Sequence, residues 1–553
     1  MRGLRMWSRP VVGLAALTMV MTACSGDKPK ANEDALVFGA SADPKILDPP
    51  LASDGESLRV SDQLFEGLVT TKLGGTEPEP KLAESWTASS DGKTWTFKLR
   101  RGVKFHDGEP FNAKAVCANF ERWYNWTGPL QLSATSYYWQ VVFGGFKTKD
   151  PKSDAPAESL YQGCEAPDDG TVKILLTKPS SAFLAGLALP SFSFASPKAL
   201  VTYNADKASI DKDGNAVLQG TFGTEHPIGT GPFKFVSWTR NDKLVIERYD
   251  GYWGQKAKLQ RVVFRPIPDN AARLQALQSG EIQGYDLVEP QDVATIQGNS
   301  NLQLVDRPAF NVGYVAFNQK FAPLNNLKVR QALAYGMNRK AVIDNLYGGR
   351  GEVPKEFMPP SLFGYAEDVQ TYDFQPDKAK QLLQEAGLTL PVKLEFWYPT
   401  GVSRPYMPDP PRIFQAFASD LNKSGFQIVP KSAPWTPDYL DVTLNGKAAL
   451  YLLGQTGDFG DPDTFLGTFF RTARPGFGFN NPQIFGLLGQ GLAETDQGKR
   501  VALYQEANRK VMEFLPGLPF AHTRPALALA KQVKGYVPSP VSLEPFALVS
   551  LEK

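Results

Sequence analysis

Between residues 392 and 453 the chain alternates between short apolar runs and amphipathic segments. Strand-like runs stand at 392–398, 426–429 and 448–453. Helical spacing covers 411–424, with Phe414, Phe417 and Leu421 on one face, and again 438–444. Such alternation predicts an α/β fold with parallel strands and right-handed crossovers. Ligands of parallel sheets bind beyond the carboxyl ends of the strands. The segments that leave the first and last of these runs are therefore where a site would form.

The last run leads into GQTGDFGDPDTFLGTFF, residues 454–470. Glycines and a proline break regular structure there. Asp458, Asp461 and Asp463 crowd into six positions, and Phe465, Leu466, Phe469 and Phe470 then resume packing. The acids do not fit a calcium loop, which needs them at alternate positions with a Gly sixth and a Glu twelfth. Two readings remain: a solvated acidic turn, or a strand-end loop in which one carboxylate meets a cation. The first run leads into PTGVSRPYMP, residues 399–408, which carries Arg404. An Arg fork can hold a carboxylate by two parallel hydrogen bonds, and an Asp can hold an ammonium. Arg404 and Asp458 on one sheet edge describe a zwitterion with separated ends, such as a short peptide. Direct pairing of Arg404 with Asp458 also fits the sequence.

The amino terminus reads as a targeting segment over 1–23. Arg2, Arg5 and Arg9 precede an apolar stretch at 11–21, shorter than the ~20 residues that span a bilayer. Met21, Thr22 and Ala23 before Cys24 resemble a bacterial lipobox, although Leu is usual where Met21 stands. That resemblance implies lipidation of Cys24 and a lipid-anchored tether over 24–34; the alternative is ordinary cleavage near Ala23. No later stretch has transmembrane length. The formal charge of +2 falls to about −1 once the three signal arginines are removed, which leaves no footprint for nucleic acid. The length suits two or three domains. Cys117 and Cys164 are the remaining cysteines, and in an exported protein a disulfide between them is favoured over two free thiols. Neither has a partner at zinc-ligand spacing.

In the first half, 35–40 reads as a strand and 57–70 as a helix with Val60, Leu64 and Leu68 inward. The densest signature follows: KLAESWTASSDGKTWTFKLRRGVKFHDGEPFNAKAV, residues 81–116, then HPIGTGPFKFVSW at 226–238 and YWG at 252–254. These blocks resemble the peptide- and nickel-binding class (family 5) of solute-binding proteins of ABC importers. Their pattern is L-x-E-S-W, D-G-x-x-W-T-F-x-L-R-x-G-V-K-F-H-D-G-x-P-F-x-A and P-x-G-T-G-P. The similarity spans residues 36–553, with Lys114 standing where Asp is usual.

The resemblance implies a two-lobed, periplasmic-binding-protein-like fold (type II, large peptide-binding class) with an extra subdomain in the first lobe. Lobe I would take 35–307 and 523–553, with about 86–226 inserted, and lobe II 308–522, hinged near 308 and 522. T-G-D-x-G-D-P-D and R-P-Y-x-P are most similar to the dipeptide-binding members. This implies that Asp458 takes a peptide's α-amino group and Arg404 its α-carboxylate. Tyr406, Thr456, Gly457 and Gln455 would contact ligand beside them. Gln455 replaces a Trp of those members, a change that bears on the side-chain pocket. Asp461 and Asp463 are expected to cap the following helix, Trp435 to pack, and His106 to serve the strand–turn framework.

The implied function is capture of dipeptides or short peptides on the outer face of the cytoplasmic membrane, and delivery to an ABC permease. No catalytic residue, metal or cofactor is expected, and the chain would be a monomer. The rivals are the same fold with haem, a nickel chelate or an oligosaccharide, a surface hydrolase, and an adhesin. A hydrolase would have only His106, His226 and His522 as imidazoles, none in G-x-S-x-G or H-E-x-x-H.

Overall fold

The computed structural model describes residues 35–552 apart from Asp213. The expected targeting segment over 1–23 and the expected tether over 24–34 with Cys24 lie outside the described residues. Two large sheets organise the two lobes. In the first, the strand Ala35–Ala40 lies parallel to Arg261–Pro266 on one side and to Gly284–Asp286 on the other. Phe233–Thr239 and Lys243–Arg248 extend one edge of this seven-stranded sheet, and Ala526–Ala530 and Leu302–Asp306 the other.

The second sheet has six strands and contains the alternating region. Val392–Thr400 runs parallel to both Phe426–Pro434 and Leu450–Thr456. Asn311–Phe317 pairs antiparallel with Leu450–Thr456 and with Gly517–Thr523. The helix expected over 411–424 is Pro410–Lys423. Pro410 and Pro411 suit its first turn, the Asp409 side chain accepts from the Arg412 amide, and Ile413, Phe414, Phe417 and Leu421 are buried. The helix expected over 438–444 is shorter, Leu440–Leu444, because a π turn at Trp435–Tyr439 precedes it.

A third body grows from the first lobe. Its antiparallel sheet is Ala83–Ala88, Thr94–Leu99, Thr171–Leu176 and Tyr161–Asp168 in spatial order. Its own core is aromatic: Phe120 lies 4.9 Å from Trp123 and stacks on Tyr161 at 5.6 Å. A disulfide between Cys117 and Cys164, with Cα atoms 5.3 Å apart, pins the helix Ala113–Tyr124 to the strand Tyr161–Asp168.

The signature blocks meet in one place. His106 donates from Nε2 to the Gly231 carbonyl at 3.0 Å, while the Gly229 amide approaches Nδ1 at 3.4 Å. Burial pushes this imidazole down to about 4, so it is a neutral clamp. A side chain at Gly229 would meet the Leu64 carbonyl at 2.2 Å, which explains the glycine. The helix expected over 57–70 is Gly55–Leu64, and it ends there because the Gly231 amide takes the Leu64 carbonyl at 2.9 Å.

The chain leaves the first sheet after Asp306, enters the second at Asn311, and returns between Thr523 and Ala526. Thr523 thus closes a strand of the second sheet. The crossings are clasped together. Asn311 Oδ1 accepts from the Thr523 amide at 3.1 Å, and Asn311 Nδ2 donates to the Thr523 carbonyl at 3.0 Å. On the first-lobe side Arg307, 2% exposed, pairs with Glu544 at 2.6 Å and Asp286 at 3.1 Å, and Arg59 pairs with Asp286 at 2.5 Å.

Two stability outcomes follow from these contacts. Joint replacement of Cys117 and Cys164 by Ser reopens a loop of 47 residues and should cost about 2–4 kcal/mol. Urea unfolding reads this as a lower midpoint, and an unchanged midpoint contradicts it. Arg307→Leu removes one of the two guanidinium partners of the buried Asp286 and Glu544, leaving them Arg59 at 2.5 and 3.8 Å, and should cost about 3–5 kcal/mol in the same assay; a loss below about 1 kcal/mol contradicts a buried role for the cluster.

Candidate ligand-binding site

Three parallel strands end on one edge of the second sheet, and each delivers a candidate group. Thr400 is followed by the Arg404 loop, Pro434 by Trp435, and Thr456 by the Asp458 loop. Both charged loops are tied to the crossings. The Gly457 amide donates to the Phe310 carbonyl at 2.8 Å, and a Cβ at Gly457 would lie 2.3 Å from the Phe310 ring, so only glycine fits. Thr523 Oγ1 lies 2.9 Å from the Pro405 carbonyl and 3.0 Å from Asn311 Oδ1, and can donate to one at a time.

Asp458 is partly buried and no cation pairs with it among the described residues. Its Oδ1 accepts from the Tyr138 hydroxyl at 3.0 Å, its Oδ2 from Gln455 Nε2 at 3.2 Å, and its amide donates to Thr464 Oγ1 at 2.9 Å. Tyr138 belongs to the helix Tyr137–Val142 of the third body, so this bond crosses between lobes. Burial raises the Asp458 carboxyl to about 6, against the lowering effect of the Tyr138 bond.

Arg404 sits in a turn closed by its amide on the Met407 carbonyl at 3.1 Å and the return bond at 2.9 Å. Its guanidinium lies over the Trp435 ring, 4.6 Å from the centroid. Its Nε is buried without a hydrogen bond in the protein, and no acid pairs with it among the described residues. Direct pairing of Arg404 with Asp458, one of the two options open from sequence, does not occur. Trp435, expected to pack, lies against the core of the second lobe and also carries this cation on its ring.

Tyr406 is 6% exposed, with its ring against Gly454 and its carbonyl accepting from the Tyr347 hydroxyl at 2.9 Å. Burial raises its phenol, and the nearby Arg404 opposes the rise. Thr456 pairs with Asn311 at the end of its strand, and Gln455 is committed to Asp458 through its amide nitrogen. Asp461 accepts from the Asp463 amide at 3.0 Å and pairs with Arg500 at 2.7 Å, and Asp463 pairs with Arg471. Both acids therefore set the loop. Phe459 was not singled out by sequence; it is buried in the core of the third body.

The three histidines are each held by packing or by backbone contacts. His226 stacks on Tyr203 at 3.8 Å, and His522 donates from Nδ1 to the Asn311 carbonyl at 2.5 Å, held at about 4 by burial. Among the described residues no group of three or more His, Cys, Asp or Glu could hold a metal ion, and no helix is long and apolar enough to cross a membrane.

This geometry can be set beside known proteins. The dipeptide-binding protein of Escherichia coli K12 is 34% identical over 98% of both chains. Heme-binding protein A of Haemophilus influenzae is 33% identical, again over 98% of both. The solved periplasmic binding protein DppA of Helicobacter pylori, in complex with the peptide STSA, superposes with a TM-score of 0.77 at 29% identity, covering 94% of this chain and 98% of that one. The model of the middle part of the bacterial extracellular solute-binding proteins, family 5, matches residues 77–477. The chain belongs to that family.

Proposed function

We propose that the protein captures dipeptides or other short peptides between its lobes and delivers them to an ABC import permease, anchored outside the cytoplasmic membrane by lipidated Cys24. One observation carries the reading. A carboxylate without a cation, Asp458, and a guanidinium without an anion, Arg404, leave neighbouring strand ends of one sheet edge. A free peptide supplies both missing charges. Asp458 takes the α-ammonium and Arg404 the α-carboxylate, while Tyr406, Thr456, Gly457 and Gln455 shape the floor between them. Relatives named for dipeptide binding support the same reading. A haem, suggested by another relative's name, would offer acids to Arg404 but no ammonium to Asp458.

The crossings at 307–310 and 524–525 act as hinges. Tyr138 from one lobe and Gln455 from the other already meet on Asp458, so an ammonium placed there contacts both lobes. Ligand shifts the lobes only through such differential contacts with the closed form. Each charge-assisted hydrogen bond contributes about 1.5–3 kcal/mol net, roughly ten- to hundredfold in affinity.

Asp458→Ala should weaken an unmodified dipeptide about ten- to hundredfold and its N-acetylated form far less, by calorimetry; equal losses reject the amine anchor. The pH dependence has a definite sign. Burial pushes the Asp458 carboxyl up to about 6 and an ammonium favours its ionised form, so binding expels a proton below that pH. Affinity should therefore fall below pH 6, approaching about tenfold per unit, while the peptide's own termini keep their charges down to about pH 4.5. Asp458→Asn should abolish the slope, and a flat wild-type profile between pH 7 and 4.5 contradicts the assignment.

A further inference from the structure

Away from the crossings, the third body and the second lobe meet at the Asp458 loop and at one helix end. Phe459, the residue after Asp458, is 6% exposed, and it is the one second-lobe residue among the buried members of the third body's core. Tyr138, the hydroxyl partner of Asp458, belongs to the same core. Leu492 of the second lobe packs half-buried against it, and its carbonyl accepts from the Ser181 amide at 2.9 Å and the Ser181 hydroxyl at 2.8 Å. Ser181 thereby caps the last turn of the helix Pro482–Ala493 from the opposite lobe. At Gly460 a Cβ would lie 2.1 Å from the Thr76 carbonyl of the first lobe, so the loop comes this close only with glycine there.

The loop that carries these contacts is braced. The Asp461 amide donates to the Phe459 carbonyl at 2.8 Å, the Asp458 amide to Thr464 Oγ1 at 2.9 Å, and Asp461 is tied to Arg500 at 2.7 Å. The Phe459 ring and the Asp458 carboxylate therefore move as one piece. We infer that Phe459 is a positioning residue: its ring docks in the third body as the lobes close, and this seats Asp458 against the Tyr138 hydroxyl. The inference rests on the peptide reading only for what Asp458 then holds; the dock itself stands apart from it. Opening returns a phenyl ring to water, which is unfavourable whatever the ligand. Apparent affinity scales with the fraction of protein in the binding-competent form. The dock thus multiplies the affinity for every ligand of the closed form by one factor, whereas the ammonium anchor serves only ligands with a free amine.

Small-angle X-ray scattering on the full mature chain without peptide, and calorimetry with Ala-Ala and N-acetyl-Ala-Ala, test this. Phe459→Ala should raise the radius of gyration and weaken both peptides by the same factor, about tenfold. Phe459→Leu, which keeps most of the buried hydrocarbon, should return both readings close to those of the wild type. Ser181→Ala, which leaves the apolar core intact, should move both readings the same way as Phe459→Ala, with an affinity loss of about threefold. A Phe459→Ala radius equal to that of the wild type overturns the inference, as does an affinity loss confined to the unmodified peptide. Binding of neither peptide by the wild type would instead overturn the peptide reading, and the scattering would still decide the dock.

Discussion

The clasp between Asn311 and Thr523 holds the rest of the molecule in register. It joins the two crossings where they enter and leave the second sheet, and each ligand loop is bonded to one of them. Gly457 rests on Phe310 of the first crossing, and Pro405 faces Thr523 of the second. Asp458 and Arg404 therefore both stand on loops bonded directly where the chain passes between the lobes. On the opposite side, the buried Arg307 fixes the first crossing to the first lobe through Glu544 and Asp286. Buried ion pairs are weak evidence of net stability, since desolvation offsets their attraction. Their better-supported use is to hold one geometry, here the attachment of the first crossing to the first lobe.

The site keeps two opposite charges apart. Arg404 is held over Trp435 and Asp458 is bridged by Tyr138 and Gln455, so neither collapses onto the other. The cost shows at Asp458, whose carboxyl burial raises to about 6. In the proposed reading an ammonium would return the carboxylate to its ionised form, and a carboxylate would satisfy the guanidinium Nε, which is buried without a hydrogen bond. The two neighbouring acids take no part, because Arg500 and Arg471 already neutralise them.

Much of this was legible in the sequence. The alternation over 392–453 set the parallel strands, and the sheet rule then pointed to the loops that follow them. The blocks at 81–116 and 226–238 carried the family, and their contact through His106 and Gly229 shows why they go together. Asp461 caps the short turn at Pro462–Thr464 as expected, whereas Asp463, of which the same was expected, pairs with Arg471 instead. Tyr138 was not legible. It lies 320 residues from Asp458 in a short helix without a motif, and only the folding of the third body against the loop brings it there. Phe459 was hidden for the same reason, since its packing partners belong to another lobe. Trp435 carried a signal, an aromatic at the end of a parallel strand, but a pairwise stack on Arg404 cannot be read from spacing.

The central claim is that a peptide bridges the two uncommitted charges. A crystal structure of the protein with an unmodified dipeptide tests it most directly. The account requires the α-ammonium nitrogen at about 2.7–3.0 Å from an Asp458 oxygen and both carboxylate oxygens on the Arg404 guanidinium. A peptide bound in the opposite direction, or lodged elsewhere with Asp458 still held only by Tyr138 and Gln455, would contradict it.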